Sequence, residues 1–583
     1  MAIAHAFIHV IYPNPMNDRQ PIPLHTPLII LAGLFAAQII GTLQVYQSNA
    51  RLLETINAVK NAGYLAIPND LVAPSLSTLT AACLGGLFFT FSIGAGVTLL
   101  ALLSTWTWKY VCFRKPLLAI PFLLPWLASV VILNLRGPAV LPSLYFLAVP
   151  VIVAILTLKL TPDTLDRSGW AWSFLHPIIL LLLAMFWLTQ YSPGMFGNIR
   201  DRLLLTQRPG IAFNNFYYRY TLYPAEVFKS LNQKMIKTCQ VEGLDNRAVQ
   251  KKVMGRLADD GYLTVLGAES VDLVLRANKG NVEFINGNRI LVQTSLKNFM
   301  DNPGHVLKSF SKNSDRFLFF RQVTFLSLLV AFPIFLYVFL NAFLYRLIAL
   351  FLRPGRAFVA AGLTCLLAGC LMILPVRSGM QSSVTIDRVP ELLKSEKWQD
   401  NLAALKSLVR HKQPFPMGAQ ASDLTASPSI PVRYWLARSL AQNTNSKTYA
   451  ILMKLMDDPQ PIVACQALYS LGKRKETHSI RNVLEKINQS DHWYVQWYGI
   501  THSRLWDGGK NYQSENSAFV RRCYPGCGIQ PALGGMAKTY LTLGPDRCRQ
   551  NTGSIAHPGG GTFVKPKWFG SRGIAAQTTC YRS

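Results

Sequence analysis

Charged residues are scarce in this chain, and acidic residues are the scarcest of them. Asp and Glu number 29 against 58 Lys and Arg, and charged residues make up 15% of the 583 positions. Soluble globular proteins carry about 25% charged residues, so a string of ordinary soluble domains is excluded. Half of the residues are hydrophobic, and they are gathered into long runs. The composition therefore predicts an integral membrane protein.

The sequence also lacks the motifs of common chemistries. It has no glycine-rich phosphate loop, no metal-binding pair of histidines on a suitable helix and no nucleophile elbow. His5 and His9 lie in an apolar stretch, where packing is a simpler interpretation than a metal or haem site shared with His25. We therefore predict no catalytic residues, no cofactor and no metal, and we disfavour an enzyme.

Seven apolar stretches are candidates for membrane spans, because a helix needs about 20 residues to cross about 30 Å of hydrocarbon. The third is the shortest, and Pro121 and Pro125 interrupt it. A re-entrant segment is the alternative there, and it would reverse the orientation of everything that follows. The predicted spans are 27–46, 77–103, 117–133, 140–158, 172–188, 324–344 and 357–374.

Basic residues near the span ends predict the orientation, since cytoplasmic loops carry an excess of Lys and Arg. The two most basic loops hold Lys109, Arg114 and Lys115, and Arg346, Arg353 and Arg356. Both are then cytoplasmic, together with the segment 1–26. A five-span region (27–188) and a two-span region (324–374) follow from this. The regions 189–323 and 375–583 are predicted to be periplasmic, with the chain in a bacterial inner membrane.

The insert at 189–323 is predicted to be an extracytoplasmic α+β domain. Val249, Val253 and Leu257 recur every four residues, which predicts a helix over 245–260. Asparagine-rich turns separate short β-prone runs. Lys251, Lys252 and Arg256 on the helix are interpreted as a solvated face, because nucleic acid would need a cytoplasmic domain. The predicted strands are 262–266, 271–276, 282–285 and 290–294.

An internal repeat follows the last span. Valines at 432, 463 and 495 open similar apolar patterns 31 and 32 residues apart. Pro431 and Pro461 stand near the first two valines, where the start of a helix tolerates proline. The recurring residues are Pro431, Val432, Arg433, Ala437 and Leu440, then Asp458, Pro459, Val463, Ala467, Leu471 and Gly472.

This pattern resembles HEAT-type helical repeats over about 387–506, although Ala464 stands where that family often has arginine. The resemblance implies an α-solenoid, in which stacked units share a core, within a repeat domain at 375–506. It also implies a concave surface for protein partners and no catalysis. A helical bundle that binds nothing is the alternative. The whole chain is similar to bacterial polytopic membrane proteins that end in such repeats.

The tail 507–583 differs from the rest of the chain. It is rich in glycine and holds Cys523, Cys527, Cys548 and Cys580 without periodic apolar residues. A disulfide is one interpretation, and half of a metal site is a poorly supported one. Our favoured hypothesis is that the tail is an out-of-frame translation, because the third repeat loses its pattern near Gly499. In either case we predict low order.

The predicted fold is thus a polytopic helical membrane protein of about seven spans with an α+β insert and a HEAT-like solenoid. The predicted function is a scaffold or assembly protein in the cell envelope that binds proteins through the repeats, with lipid around its spans and no nucleic acid. The alternatives are a transporter or channel component, which the scarcity of ionisable residues in the spans disfavours, and a membrane-embedded enzyme acting on envelope substrates. Interfaces favour Tyr, Trp and Arg, so the candidate protein-binding residues, which are equally candidates for repeat core, are Arg433, Tyr434, Trp435, Tyr469, Trp493, Tyr494 and Trp497.

Overall fold

The structure, a computed structural model, describes most of the chain before residue 508. All of the described residues belong to one compact unit that extends from Met1 to Tyr524. The predicted segments 1–26 and 507–583 lie almost wholly outside the described residues, with His5, His9 and the tail cysteines. The described ranges are 25–162, 175–189, 194–220, 228–234, 236–265, 270–278, 280–381, 384–416, 420–443, 445–474 and 479–507.

The first half of the chain is a bundle of long apolar helices. Apolar segments in a bilayer fold as helices because each backbone polar group must find its partner within the segment. Gly41 and Gly86 let the first two of these helices approach closely, since a Cβ on Gly86 would lie 2.9 Å from the backbone nitrogen of Thr42. The helices are α1 (His25–Asn61), α2 (Leu79–Phe89), α3 (Ala95–Tyr110), α4 (Ile120–Asn134), α5 (Val140–Leu160) and α6 (Leu175–Leu188).

A π-helical turn at Thr90–Gly94 joins α2 and α3 into a single apolar segment. The predicted third span is likewise one helix, which continues through Pro125. The fifth predicted span is the exception, because its described part, α6, has only 14 residues. Residues 172–174 of that span lie outside the described part of the chain.

Residues 194–220 form a segment of two helices joined by a second π-helical turn, at Arg200–Leu204. The helices are α7 (Met195–Ile199) and α8 (Arg208–Tyr220). Leu205, between them, is buried in the same apolar core as the repeat helices. The predicted domain 189–323 is therefore divided, because its first part packs with the repeats and only its later part forms a sheet.

The sheet domain has five strands, with the spatial order β2-β1-β3-β4-β5. The four predicted strands are present, and the unpredicted β1 pairs in parallel with both β2 and β3. The Asn246 side chain caps the predicted helix, which begins at Arg247. In chain order the elements are β1 (Lys237–Glu242), α9 (Arg247–Asp259), β2 (Tyr262–Thr264), β3 (Leu273–Asn278), β4 (Asn281–Asn286), β5 (Arg289–Ser295), α10 (Leu296–Asp301) and α11 (Pro303–Ser314).

Two further long apolar helices follow, α12 (Leu318–Ile348) and α13 (Pro354–Gln381). They pack on each other and α13 packs on α6, so the late helices rejoin the first bundle. His176 of α6 is buried beside them, with its Nδ1 2.5 Å from the hydroxyl of Tyr337. Among the described residues, six segments are long and apolar enough to cross a membrane, and α6 is a shorter apolar helix.

The repeat region consists of short helices in two layers. The three helices that carry the repeated valines, α17, α19 and α21, pack side by side in succession, and α15 packs against α17 at the start of the row. We call these four the stacked layer, and we call α16, α18 and α20 the second layer. The helices are α14 (Val389–Leu392), α15 (Trp398–Arg410), α16 (Gln420–Thr425), α17 (Ile430–Ser439), α18 (Ser446–Met456), α19 (Pro461–Arg474), α20 (Ile480–Gln489) and α21 (Trp493–Asp507).

The repeated positions are the core of this region. Val432 and Val463 have no exposed surface, and Val495 is 4% exposed. Arg433, which follows the first valine, donates hydrogen bonds to both carboxylate oxygens of Asp458 in the next unit. The repeat spacing is thus a packing period, and the arginine ties one unit to the next.

Candidate protein-interaction site on the repeat region

The segment 194–220, which we call the docking segment, runs along the stacked layer of the repeats. It meets the four stacked helices in the order in which they follow one another. The repeats thus pack against a distant segment of their own chain. The contacts are Asn198 with Lys406, Asp201 with Lys406 and Trp435, Asn215 with Gln460, and Tyr218 with Trp493 and Tyr494.

Asp201 is the centre of this contact, and its side chain has no solvent exposure. Arg200 donates two hydrogen bonds to Oδ1, at 2.9 and 2.7 Å. Oδ2 lies 2.8 Å from Nζ of Lys406 and accepts a 2.8 Å hydrogen bond from Nε1 of Trp435. A buried charge is costly unless it is paired and hydrogen-bonded. Arg200 lies in the docking segment itself, so the repeats supply the second cation, Lys406, and the hydrogen bond from Trp435 to Oδ2.

The local sequence explains why Arg200 and Asp201 both face the repeats. They open the π-helical turn at Arg200–Leu204, which widens the helix by one residue. Gly210 then lets α8 fold back on this turn, because a Cβ there would lie 2.2 Å from the carbonyl oxygen of Leu204. The Ile-Arg-Asp-Arg-Leu sequence and the glycine nine residues after Asp201 together set this geometry.

The two cations beside Asp201 respond differently to burial. Burial lowers the pKa of Arg200, but Asp201 and Tyr434 outweigh it, so the pKa lies above its ordinary value. The guanidinium also stacks over the Tyr434 ring, 4.1 Å from its centre. For Lys406, burial prevails over the attraction of Asp201 and lowers the pKa. Arg200 is therefore the firmly held cation of the pair.

The far end of the docking segment is an aromatic contact. Tyr218 stacks on Tyr494, with 4.8 Å between ring centres, and its carbonyl oxygen accepts a hydrogen bond from Nε1 of Trp493. Trp493 is 2% exposed and packs with Leu52 and Ile56 of α1. The last stacked helix therefore joins the docking segment to the first helix of the bundle.

A loop of the apolar helix bundle also contacts the repeats. The Asn69 side chain donates to the carbonyl oxygens of Ile487, Asn488 and Ser490, at the C-terminal end of α20. Its backbone N–H donates to Oε1 of Gln496. The last carbonyls of a helix have no partner within that helix, so Asn69 satisfies groups that would otherwise need water.

Of the seven candidate residues predicted from the sequence, four contact the docking segment. Tyr434, Trp435, Trp493 and Tyr494 meet the docking segment, whereas Arg433 bonds within the repeats. Tyr469 is half-buried on α19, and Trp497 has the Lys229 ammonium 5.9 Å from its ring centre.

Sequence reasoning missed Asp201, Lys406, Asn69 and Gln496. Asp201 had a usable signal, since it is the one acidic residue between 189 and 225 and stands between two arginines. The other three have no local signal, because their partners lie hundreds of residues away. Among the described residues, no group of three or more His, Cys, Asp or Glu could hold a metal ion.

Comparison with known proteins supports the repeat assignment. Residues 420–498 match a family model for HEAT repeats. No curated protein matches the chain, and no solved structure does. The match lies inside the predicted region 387–506 and covers the helices that carry Tyr434, Trp435, Trp493 and Tyr494. The chain therefore contains a HEAT-repeat region, which confirms the predicted resemblance over 420–498.

Proposed function

We propose that the protein is a membrane-anchored scaffold whose HEAT-like repeats are docked on its own chain and present their second layer to protein partners. HEAT repeats commonly mediate protein interactions, and stacked helical repeats create extended binding surfaces. The observation that carries the proposal is the docking segment, which contacts residues of α15, α17 and α21 and the residue that precedes α19. We infer that a foreign partner binds the second layer, which these contacts leave open.

The exposed face of α18, in the second layer, is basic. Lys447, Ala450 and Lys454 are exposed on one side of this helix, three to four residues apart. A small residue between two ammonium groups makes a flat basic stripe. A partner with acidic groups would complement it, and such complementarity mainly sets specificity and association rate.

Contacts between distant loops support the membrane anchoring. Asn69, which follows the first apolar helix, contacts the repeats, which follow the last. Asn69 and the repeats can lie on the same side of the membrane only if the chain crosses it an even number of times between them. Five long apolar segments lie between them, so α6 must supply the sixth crossing. The contact of Arg136 with the carbonyl oxygen of Asp315 requires the same crossing.

The orientation that we propose keeps the basic loops in the cytoplasm. The loops around 109–115 and 346–356 lie on one side of this arrangement, and the sheet domain and the repeats lie on the other. Lysine and arginine near span ends favour the cytoplasmic side. The sheet domain and the repeats would then be periplasmic, in the inner membrane of a bacterial cell.

Site-specific photo-crosslinking in native membranes tests the proposed function. A photoreactive amino acid at position 450, between the two lysines, is expected to capture a protein partner, and one at position 251, on the basic face of α9, is the matched control. Lys447→Glu with Lys454→Glu is expected to lower the capture about tenfold, because like charges across an interface cost several kcal/mol. Lys251→Glu with Lys252→Glu is expected to leave it unchanged.

Two outcomes would contradict the proposal. Capture at position 450 that survives the double charge reversal would show that the basic stripe does not select the partner. Equal capture of one protein at positions 251 and 450 would show contact without a defined surface on the repeats.

A further inference from the structure

The turn between α12 and α13 has a groove outside the site described above. Its volume is about 480 Å³, and its walls come from the start of α13. Two of the lining side chains are guanidiniums and the others are apolar or glycine. The lining residues are Arg353, Gly355, Arg356, Val359, Ala360 and Leu363.

The positive charge of this groove is not neutralised by the protein. Arg353 and Arg356 are both exposed, and no acidic residue occurs between 345 and 356. Neither guanidinium has a carboxylate partner among the described residues. Arg346, at the end of α12, adds a third exposed cation. The groove therefore attracts an anion.

The surroundings of the groove are strongly apolar. The turn itself exposes Leu350 and Phe351, at 77% and 82% of their surface. From the groove, a stripe of leucines extends over 12 residues of α13, and its 11 steps of 1.5 Å give a length of about 16 Å. The stripe consists of Leu363, Leu367, Leu371 and Leu374, all more than half exposed. The opposite face of α13 packs on α6 through Gly362 and Gly369.

We propose that this groove binds an anionic phospholipid, with its phosphate between Arg353 and Arg356 and an acyl chain along the leucine stripe. A guanidinium binds phosphate through two parallel hydrogen bonds, and basic pockets beside membrane helices hold anionic headgroups. The leucine stripe favours a lipid over an acidic protein segment, because it lies within an apolar segment long enough to cross a membrane. This inference rests on the membrane anchoring in the proposed function.

Lipid retention by the full chain tests the inference. The protein is reconstituted into nanodiscs of phosphatidylcholine with a minor fraction of phosphatidylglycerol, and the lipids that remain bound are counted by native mass spectrometry. Wild-type protein is expected to retain phosphatidylglycerol above its share of the disc. Arg353→Gln with Arg356→Gln is expected to reduce this enrichment about tenfold, since each cation contributes to anionic-lipid binding. Arg353→Lys with Arg356→Lys is expected to keep most of it.

A matched control removes the same charge elsewhere. Arg410→Gln with Lys412→Gln changes two exposed cations at the end of α15 and is expected to leave the enrichment intact. Equal enrichment in the Arg353/Arg356 glutamine variant would overturn the lipid site, as would equal loss in the control. Competition of the retained lipid by an acidic peptide at unchanged lipid composition would favour a protein ligand and also overturn it. Failure of wild-type protein to enter discs would overturn the membrane anchoring as well.

Discussion

At the scale of single residues, Asp201 decides whether the repeats stay docked. It is a fully buried carboxylate that accepts hydrogen bonds from Arg200 and Trp435 and pairs with Lys406. Its partners lie on both sides of the contact between the docking segment and the repeats. Removal of one member of a buried pair costs about 3 to 5 kcal/mol, because it leaves the remaining charge buried and unpaired. Asp201 is therefore more sensitive to change than any exposed ion pair.

The first prediction concerns this carboxylate. Asp201→Asn keeps the size of the side chain and removes its charge, so Arg200 and Lys406 lose their counter-ion. The opening free energy of the docking segment is expected to fall by about 3 kcal/mol, which corresponds to about 100-fold faster exchange of the backbone amides in 194–220. Hydrogen–deuterium exchange of the full chain in detergent measures this.

Asp423→Asn is the matched control, because Asp423 is an exposed carboxylate on α16. Its exchange profile is expected to match that of the wild type. Unchanged exchange in the Asp201→Asn protein would show that the docking segment is held without its central charge.

The second prediction concerns pH and His492, which precedes α21. Burial lowers the pKa of His492 from its ordinary 6.5 to about 4, with Asp491 opposing and Arg219 adding to the effect. Between these values the unfolded chain binds a proton that the folded protein does not bind. The repeats are therefore expected to lose stability as the pH falls from about 6.5 towards 4, by up to about 3 kcal/mol.

Denaturant unfolding of the full chain, followed at pH 7 and pH 4.5, measures this loss. His492→Asn is the informative variant, because Asn caps helices well and can replace the acceptor that Nδ1 offers to the Tyr494 N–H. Its stability is expected to vary less with pH than that of the wild type. An identical pH dependence in both proteins would assign the effect to other groups.

At the scale of elements, the close crossing of α1 and α2 holds the bundle together. Gly86→Ala is our third prediction, since its new Cβ would lie 2.9 Å from the Thr42 nitrogen and 3.1 Å from the Gly41 carbonyl carbon. Backbone atoms cannot adopt another rotamer as a side chain can, so α1 and α2 must move apart. The expected loss is about 1 to 3 kcal/mol, seen as a lower Tm in detergent. Gly255→Ala in α9 meets no atom within 4 Å and is expected to raise stability slightly.

The elements also show how far the sequence predicts this fold. The valines at 432, 463 and 495 predict the repeat helices, because a helix that buries one face carries apolar residues at a regular spacing. The four predicted strands follow from asparagine-rich turns. Strand β1 was missed because a parallel strand has no turn to its partners, which lie at Tyr262 and Leu273. The docking segment was assigned to the sheet domain because contacts across 200 residues leave no local pattern.

At the scale of the whole molecule, the loop contacts divide the chain into two sides. The contacts of Asn69 with Gln496 and of Arg136 with Asp315 join loops on one side. Lys109 donates to the carbonyl oxygen of Thr161 on the other. Each pairing agrees with the seven crossings that we propose. Four of the predicted protein-binding residues, Tyr434, Trp435, Trp493 and Tyr494, contact the docking segment of the same chain, and their binding to another protein stays a prediction.

The fourth prediction tests these sides. In a protein without native cysteines, Gly137→Cys and Arg410→Cys are expected to react with a membrane-impermeant maleimide from the same side, and Phe113→Cys and Leu350→Cys only from the other. Labelling of sealed right-side-out and inverted vesicles distinguishes the two sides of the membrane. Reaction of positions 137 and 410 from opposite sides would contradict the crossing of α6.

The central claim is that the repeats bind the docking segment of their own chain, and thiol crosslinking tests it most directly. Nδ2 of Asn215 lies 3.4 Å from Oε1 of Gln460, so Asn215→Cys with Gln460→Cys places two thiols within reach. The account predicts a link within one chain in native membranes, found by mass spectrometry of the joined peptides. Asn215→Cys with Lys447→Cys, which pairs the docking segment with the second layer, is expected to give none. Equal linking in both pairs, or linking in the control alone, would contradict the account.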